Sequence, residues 1–321
     1  MTPGRRRPVA GGARRPGPGL PEPPAVPELA VELPAGVRLA VGLSHDVDHL
    51  GLREHLVDRF LLSTAFNALR QNLAGRFRPW RAADQLAGLA LAALGRDRWD
   101  TIDELREFEQ AAGIRSTWFF AARPGLGIRY ALADAAATIR RLADAGFEIG
   151  LHGQSADDPA ALAAEFADLR RIVPRPVDGL RMHYLRLSAA VVDGMAQGGA
   201  RYDSTVMDRD HRDPDTHPLA APCGLRTDLV ELPLHVMDST LFSVTGFGLS
   251  EDDALDWTLR LARRAESLGR VLVINLHPNY YSRQTPEIRR WYRRLVGALT
   301  ARSDVLVTGL GELCRLLRDP R

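Results

Sequence analysis

From Val37 onward, short apolar runs alternate with longer stretches whose apolar residues recur at helical spacing, and this alternation limits the folds open to the chain. Strand-like runs fall at 37–45, 116–121, 147–151, 179–184, 201–205, 230–234, 271–277 and 305–308. Helical patterns lie near 131–145, 159–172, 188–198, 251–268, 286–301 and 311–318. Thr101 stands three residues before Glu104, the spacing of a capping box, and opens a further helix to about Ala112. Strand and helix in turn predict an α/β fold with a parallel sheet or a β/α barrel. In such barrels reacting groups collect at the C-terminal ends of the strands. Ser44-His45-Asp46-Val47-Asp48, then His152, then Arg181, His183 and Tyr184, and finally His277 all stand at strand ends, so they are expected on one rim.

The remaining segments set the domain plan. Residues 1–36, rich in Pro, Gly and Arg, cannot bury enough apolar surface to offset ordering and are expected to form a disordered tail. Arg5, Arg6 and Arg7 are followed by no apolar stretch of signal-peptide length, so a cytoplasmic location is expected. Residues 37–321 form one domain, with a helical insertion at about 53–95 after the first strand. Within it, 53–74 and 81–94 carry helical periodicity; the apolar run 86–94 is too short to span a bilayer and suits a buried or lid helix, a membrane-facing patch being the minor reading.

Charge and composition exclude several function classes. A net charge of +2 gives no strong attraction to nucleic acid or anionic lipid. Every Lys or Arg position is Arg, which removes Schiff-base chemistry and the P-loop lysine. Cys223 and Cys314 lie far apart and fit no paired-cysteine spacing, so neither a thiolate metal site nor a disulfide framework is expected.

The chemistry-bearing residues form four groups. Asp46 and Asp48, two apart at a strand end, can point the same way, and two such charges need a metal or an Arg to neutralise them; the plainer reading is a solvated turn. His152 stands between Leu151 and Gly153, with room for a ligand. Alone it would read as a structural histidine; with Asp48 it makes an imidazole–carboxylate pair suited to a catalytic zinc or similar divalent ion. Arg181 can pair with Asp46 and keep it ionised, or lie on the surface. His277, before Pro278, reads either as a strand-ending turn or as a general acid for a departing amine, with Asp238 holding its tautomer. His55, His211 and His217 sit in polar surroundings and are expected at the surface.

Taken in order, these pieces resemble the polysaccharide deacetylase family, also called carbohydrate esterase family 4 or the NodB homology domain, over roughly residues 38–310. The segments RMHYLRL, RYDSTV and ELPLHVMDSTL look like the branch found with surface-polysaccharide biosynthesis. The resemblance implies a distorted (β/α)7-type barrel and a metal-dependent hydrolase, acting on an N-acetylated sugar. It implies Asp46 as base, Asp48 and His152 as metal ligands, Arg181 holding the base, the Tyr184 N–H in the oxyanion hole and His277 as acid, with a divalent metal, zinc first. The family's second metal histidine falls four residues after the first, where this chain has Ala156. His183 is expected to replace it; Asp157 and water are the alternatives. Hydrolysis of a cyclic amide on the same barrel, or a glycan-binding protein without activity, are the rival readings.

Overall fold

The computed structural model describes residues 28–29, 31–55, 87–88, 90–92, 94–208, 211–226, 228–243 and 245–318. Its centre is β1 (Leu39–Val47), buried along its whole length. Leu39, Val41, Leu43 and Val47 face the helices, whereas Ala40 belongs to a second core inside the curled sheet. The two-residue repeat of a strand therefore sends Ser44, Asp46 and, one step beyond the strand, Asp48 inward, and His45 outward. His45 is spent on structure: Nδ1 lies 2.9 Å from Leu276 O and Nε2 2.8 Å from buried Glu109.

Around β1 the strands are β2 (Thr117–Phe120), β3 (Glu148–Gly153), β4 (Gly179–Met182), β5 (Tyr202–Asp203), β6 (Cys223–Arg226), β7 (Leu229–Glu231), β8 (Val236–Met237), β9 (Leu272–Asn275) and β10 (Val305–Thr308). They form one sheet in the order β6-β7-β5-β4-β3-β2-β1-β9-β8, with β10 against the start of β1. Only β6, against β7, runs antiparallel. The open side between β7 and β8 is crossed by the chain itself: Leu232 N donates to Asp203 O, Leu234 N to Val206 O and His235 N to Val273 O, at 2.8, 2.7 and 3.0 Å. The result is the distorted β/α barrel expected.

The helices are α1 (Ile102–Ala111), α2 (Leu132–Asp144), α3 (Pro159–Arg170), α4 (Ala189–Gly198), the short α5 (Asp238–Phe242), α6 (Glu251–Leu268), α7 (Pro286–Thr300) and α8 (Leu310–Arg318). The last closes the barrel's lower end, placing Leu310, Leu313, Cys314 and Leu317 in the inner core with Ala40, Val273 and Tyr202. Leu310 N donates to Thr117 Oγ1 and Gly311 N to Glu148 Oε2, both at 2.7 Å, so an acid meets the positive end of this helix.

Some expectations are corrected. Thr101 makes no side-chain cap on α1; its hydroxyl donates instead to Pro278 O at 2.5 Å, a tertiary partner that outcompetes the local one. Strand 179–184 stops at Met182, because Tyr184 and Leu185 take φ values of 58° and 54° and turn the chain. Of the tail read over 1–36, residues 1–27 and 30 lie outside the described residues, but Leu29, Val31 and Leu33 pack on the inner core and Leu29 N bonds Pro222 O at 2.8 Å. The helices expected at 53–74 and 81–94 fall mostly outside the described residues. Among the described residues Cys223 and Cys314 form no disulfide, and no helix is long and apolar enough to cross a membrane.

Candidate active site

Asp48, His152 and His183 meet at the rim. His152 Nε2 and His183 Nδ1 are 2.9 Å apart, and each lies close to Asp48 Oδ1, at 3.2 and 3.3 Å. The far side of each ring fixes its tautomer. His152 Nδ1 faces Arg181 O at 3.0 Å and His183 Nε2 faces Leu126 O at 3.1 Å. A carbonyl only accepts, so both N–H groups point away and both inward nitrogens carry lone pairs. Asp48 Oδ1 is buried and has no well-angled hydrogen bond among the described residues. Three acceptors thus converge where nothing donates, which is the arrangement a cation satisfies. The carboxylate and the two rings interact strongly. Burial alone would raise Asp48, yet the two imidazoles hold it well below the usual carboxylate range. Burial alone would lower His183, yet Asp48 carries it above the usual value. Asp157 is exposed and stands outside this group, so of the candidates for the gap left by Ala156 the structure brings in His183.

Asp46 sits one strand repeat below. Arg181 Nη1 donates to its Oδ1 at 2.9 Å, and Asn275 Nδ2 donates to its Oδ2 at 3.0 Å. Arg181 is wholly buried and is itself fixed: Nε and Nη2 bond Ser204 O and Oγ at 2.8 Å, while Nη1 also reaches Ser44 Oγ and Asn275 Oδ1 at 2.8 Å. Its guanidinium lies 4.7 Å over the Phe119 ring. Burial would raise the Asp46 carboxyl, but Arg181 first, then His152 and His277, hold it below its ordinary value. Asp46 is therefore held as a carboxylate.

His277 faces this pair across the opening, its Nε2 at 3.8 Å from Asp48 Oδ2. Asp238, at the head of α5, accepts hydrogen bonds from His277 Nδ1 through Oδ1 and from the backbone N–H of the same residue through Oδ2, both at 2.7 Å. Burial alone would lower His277; Asp238 foremost, with Asp48 and Asp46, carries it up to about 10, so the ring is held protonated. A cation on Asp48 would draw that value down. Tyr184 is exposed, its ring 4.1 Å from that of His183, and its left-handed backbone is strain of the kind stored at functional turns. Asp46, Asp48, His152, His183, Tyr184 and His277 line a cavity of about 310 Å³ with His49, Asn279 and Tyr280.

Asn275, Ser44 and Ser204 are parts of the site that sequence reading did not assign; only their cross-strand partners reveal them. Two histidines read as surface residues are buried: His55 is 2% exposed and His217 1%. His217 is enclosed beside Trp257, and His55 lies against His49 and Trp99; His211 is exposed as expected.

No family model matches the chain, and no curated protein does. Solved structures share its fold. A Mycobacterium smegmatis protein described as a polysaccharide deacetylase superposes with a TM-score of 0.60 at 20% identity, over 91% of this chain and 95% of that one. A Pseudomonas aeruginosa protein similarly described gives 0.57 at 15%, over 90% and 95%. An allantoinase gives 0.58 at 16%, over 90% and 94%. The chain thus has the polysaccharide deacetylase fold.

Proposed function

We propose that this chain is a metal-dependent hydrolase that removes the N-acetyl group from an amino sugar of a surface polysaccharide or its precursor. What carries the reading is the convergence of Asp48 Oδ1, His152 Nε2 and His183 Nδ1 with no donor among them, flanked by an ionised Asp46 and a protonated His277. Two imidazoles and one carboxylate, with open positions toward the cavity, suit zinc. When bound there, the ion would polarise the amide carbonyl and make a water more acidic. Asp46, oriented by Arg181 and Asn275, takes a proton from the attacking water. The Tyr184 N–H donates to the oxygen that gains charge as the water adds. His277 gives its Nε2 proton to the sugar nitrogen as the C–N bond breaks, and Asp238 stabilises the ring through Nδ1. Acetate and a free amino sugar leave.

The test is acetate release from N-acetylated sugars by the zinc-loaded chain. Asp46→Asn should lose about 10²–10⁴-fold in turnover and keep its zinc. Undiminished turnover in that variant would remove Asp46 as base. His183→Ala should lose zinc; unchanged zinc content would remove it as ligand. The allantoinase likeness favours one second reading, opening of a cyclic amide by the same groups. Hydrolysis of small ring amides, with none of acetylated sugars, would select it.

A further inference from the structure

We infer that His49, Glu54 and His55 form a second divalent-cation site, separate from the one at Asp48 and set into the wall beside it. The inference stands on its own geometry and does not depend on the hydrolase reading. His49 Nδ1 and His55 Nε2 lie 2.9 Å apart, and Glu54 Oε2 lies 4.0 Å from the same His49 nitrogen. All three ligand atoms fall within 4.8 Å of one another. Ligands bound at about 2.0–2.1 Å to a tetrahedral zinc stand roughly 3.4 Å apart, a spacing these two separations bracket.

A plain hydrogen bond does not account for the cluster. One N–H shared between the two rings would account for their 2.9 Å approach, but Glu54 Oε2 would remain buried with no hydrogen-bond partner among the described residues, as it is here. Its sister oxygen Oε1 is already committed to Leu50 N at 2.8 Å, which aims Oε2 at the rings. A cation shared by the two imidazoles and this oxygen answers both needs. Trp99 closes one side, its ring 5.2 Å from His49 and 6.0 Å from His55.

The site is built by one tight piece of chain, residues 49–55, which runs from the end of β1 into the 3₁₀ turn Leu52–His55. That turn is tied to the returning chain: Arg53 N donates to Asp97 Oδ2 at 3.0 Å, and Leu52 packs with Ala92 and Trp99. A cation here would stiffen this turn and fix His49, which lines the same cavity as Asp48 and His277.

Zinc titration of the chelator-stripped full chain, read by elemental analysis after equilibrium dialysis, tests this. Wild type should hold about two equivalents, and Glu54→Gln and His55→Ala about one each. Glu54→Gln keeps side-chain size and the acceptor for Leu50 N, so its fold, checked by circular dichroism, should persist. His152→Ala should remove the other equivalent, and the Glu54→Gln/His152→Ala double variant nearly all. Wild-type stoichiometry in both Glu54→Gln and His55→Ala overturns the inference. Loss of one equivalent in Glu54→Gln with none lost in His152→Ala would instead uphold this site and defeat the proposed catalytic one.

Discussion

Asn275 shows how much of the site is decided by single side chains that carry no charge. It ends β9 in register with Ser44 of β1, donates to Asp46 Oδ2 at 3.0 Å and accepts from Arg181 Nη1 at 2.8 Å. Asp46 and its guanidinium partner are thereby held as one unit. Asn275→Ala should leave zinc content unchanged and lower kcat about 10–100-fold, the usual cost of losing a supporting hydrogen bond around a metal site. Steady-state kinetics with metal analysis checks it; a raised KM with kcat intact would show that the amide only binds substrate. The charged and imidazole groups were legible because each stands at a strand end in a short local pattern. Asn275 was not, since its role is defined by a carboxylate 229 residues away. His55 and His217 were misread for a related reason: Trp99 and Trp257, which pack against them, lie far away in the chain.

At the level of elements, the parity of β1 decides what the barrel can hold. The positions facing inward at its lower half must be small, because α8 fills the space. A Cβ built on Gly42 would stand 2.5 Å from Leu310 Cδ2 and 3.1 Å from Leu313 Cδ2. Gly42→Ala should therefore cost about 1–3 kcal/mol through overpacking, despite the better strand-forming side chain. Urea denaturation measures this; a variant as stable as wild type would mean that α8 can shift outward freely. Long periodic helices such as α6 and α7 were readable from spacing, and β1 from its short apolar run. β6, β8 and α5 were not, because a two-residue strand has no period to detect and the antiparallel return of β6 depends on pairing with β7. The Thr101 cap failed because Pro278 O, offered by the turn after β9, is the stronger claim on its hydroxyl.

For the molecule as a whole, closure of the barrel should make stability sensitive to mild acid. The segment that crosses between β7 and β8 carries His235, which is 2% exposed. Its Nδ1 accepts from Val273 N at 3.0 Å and its Nε2 donates to Ala220 O at 3.0 Å, so the ring is satisfied only when neutral. Burial pushes its pKa down from 6.5 to about 4. Between those values the unfolded chain binds the proton and the folded chain does not. The contribution is complete above 6.5 and is lost as pH falls toward 4, in total on the order of 3 kcal/mol. His49, also pushed down by burial to about 4, acts in the same sense, so wild type alone cannot isolate the effect. His235→Gln removes one titrating ring and leaves the other. Urea midpoints followed from pH 7 to pH 4 should fall more steeply for wild type than for the variant, with the variant less stable at pH 7. Parallel curves would mean that the ring gains its proton without breaking the crossing, and that the barrel's open side is held by the backbone bonds of 232–235 alone.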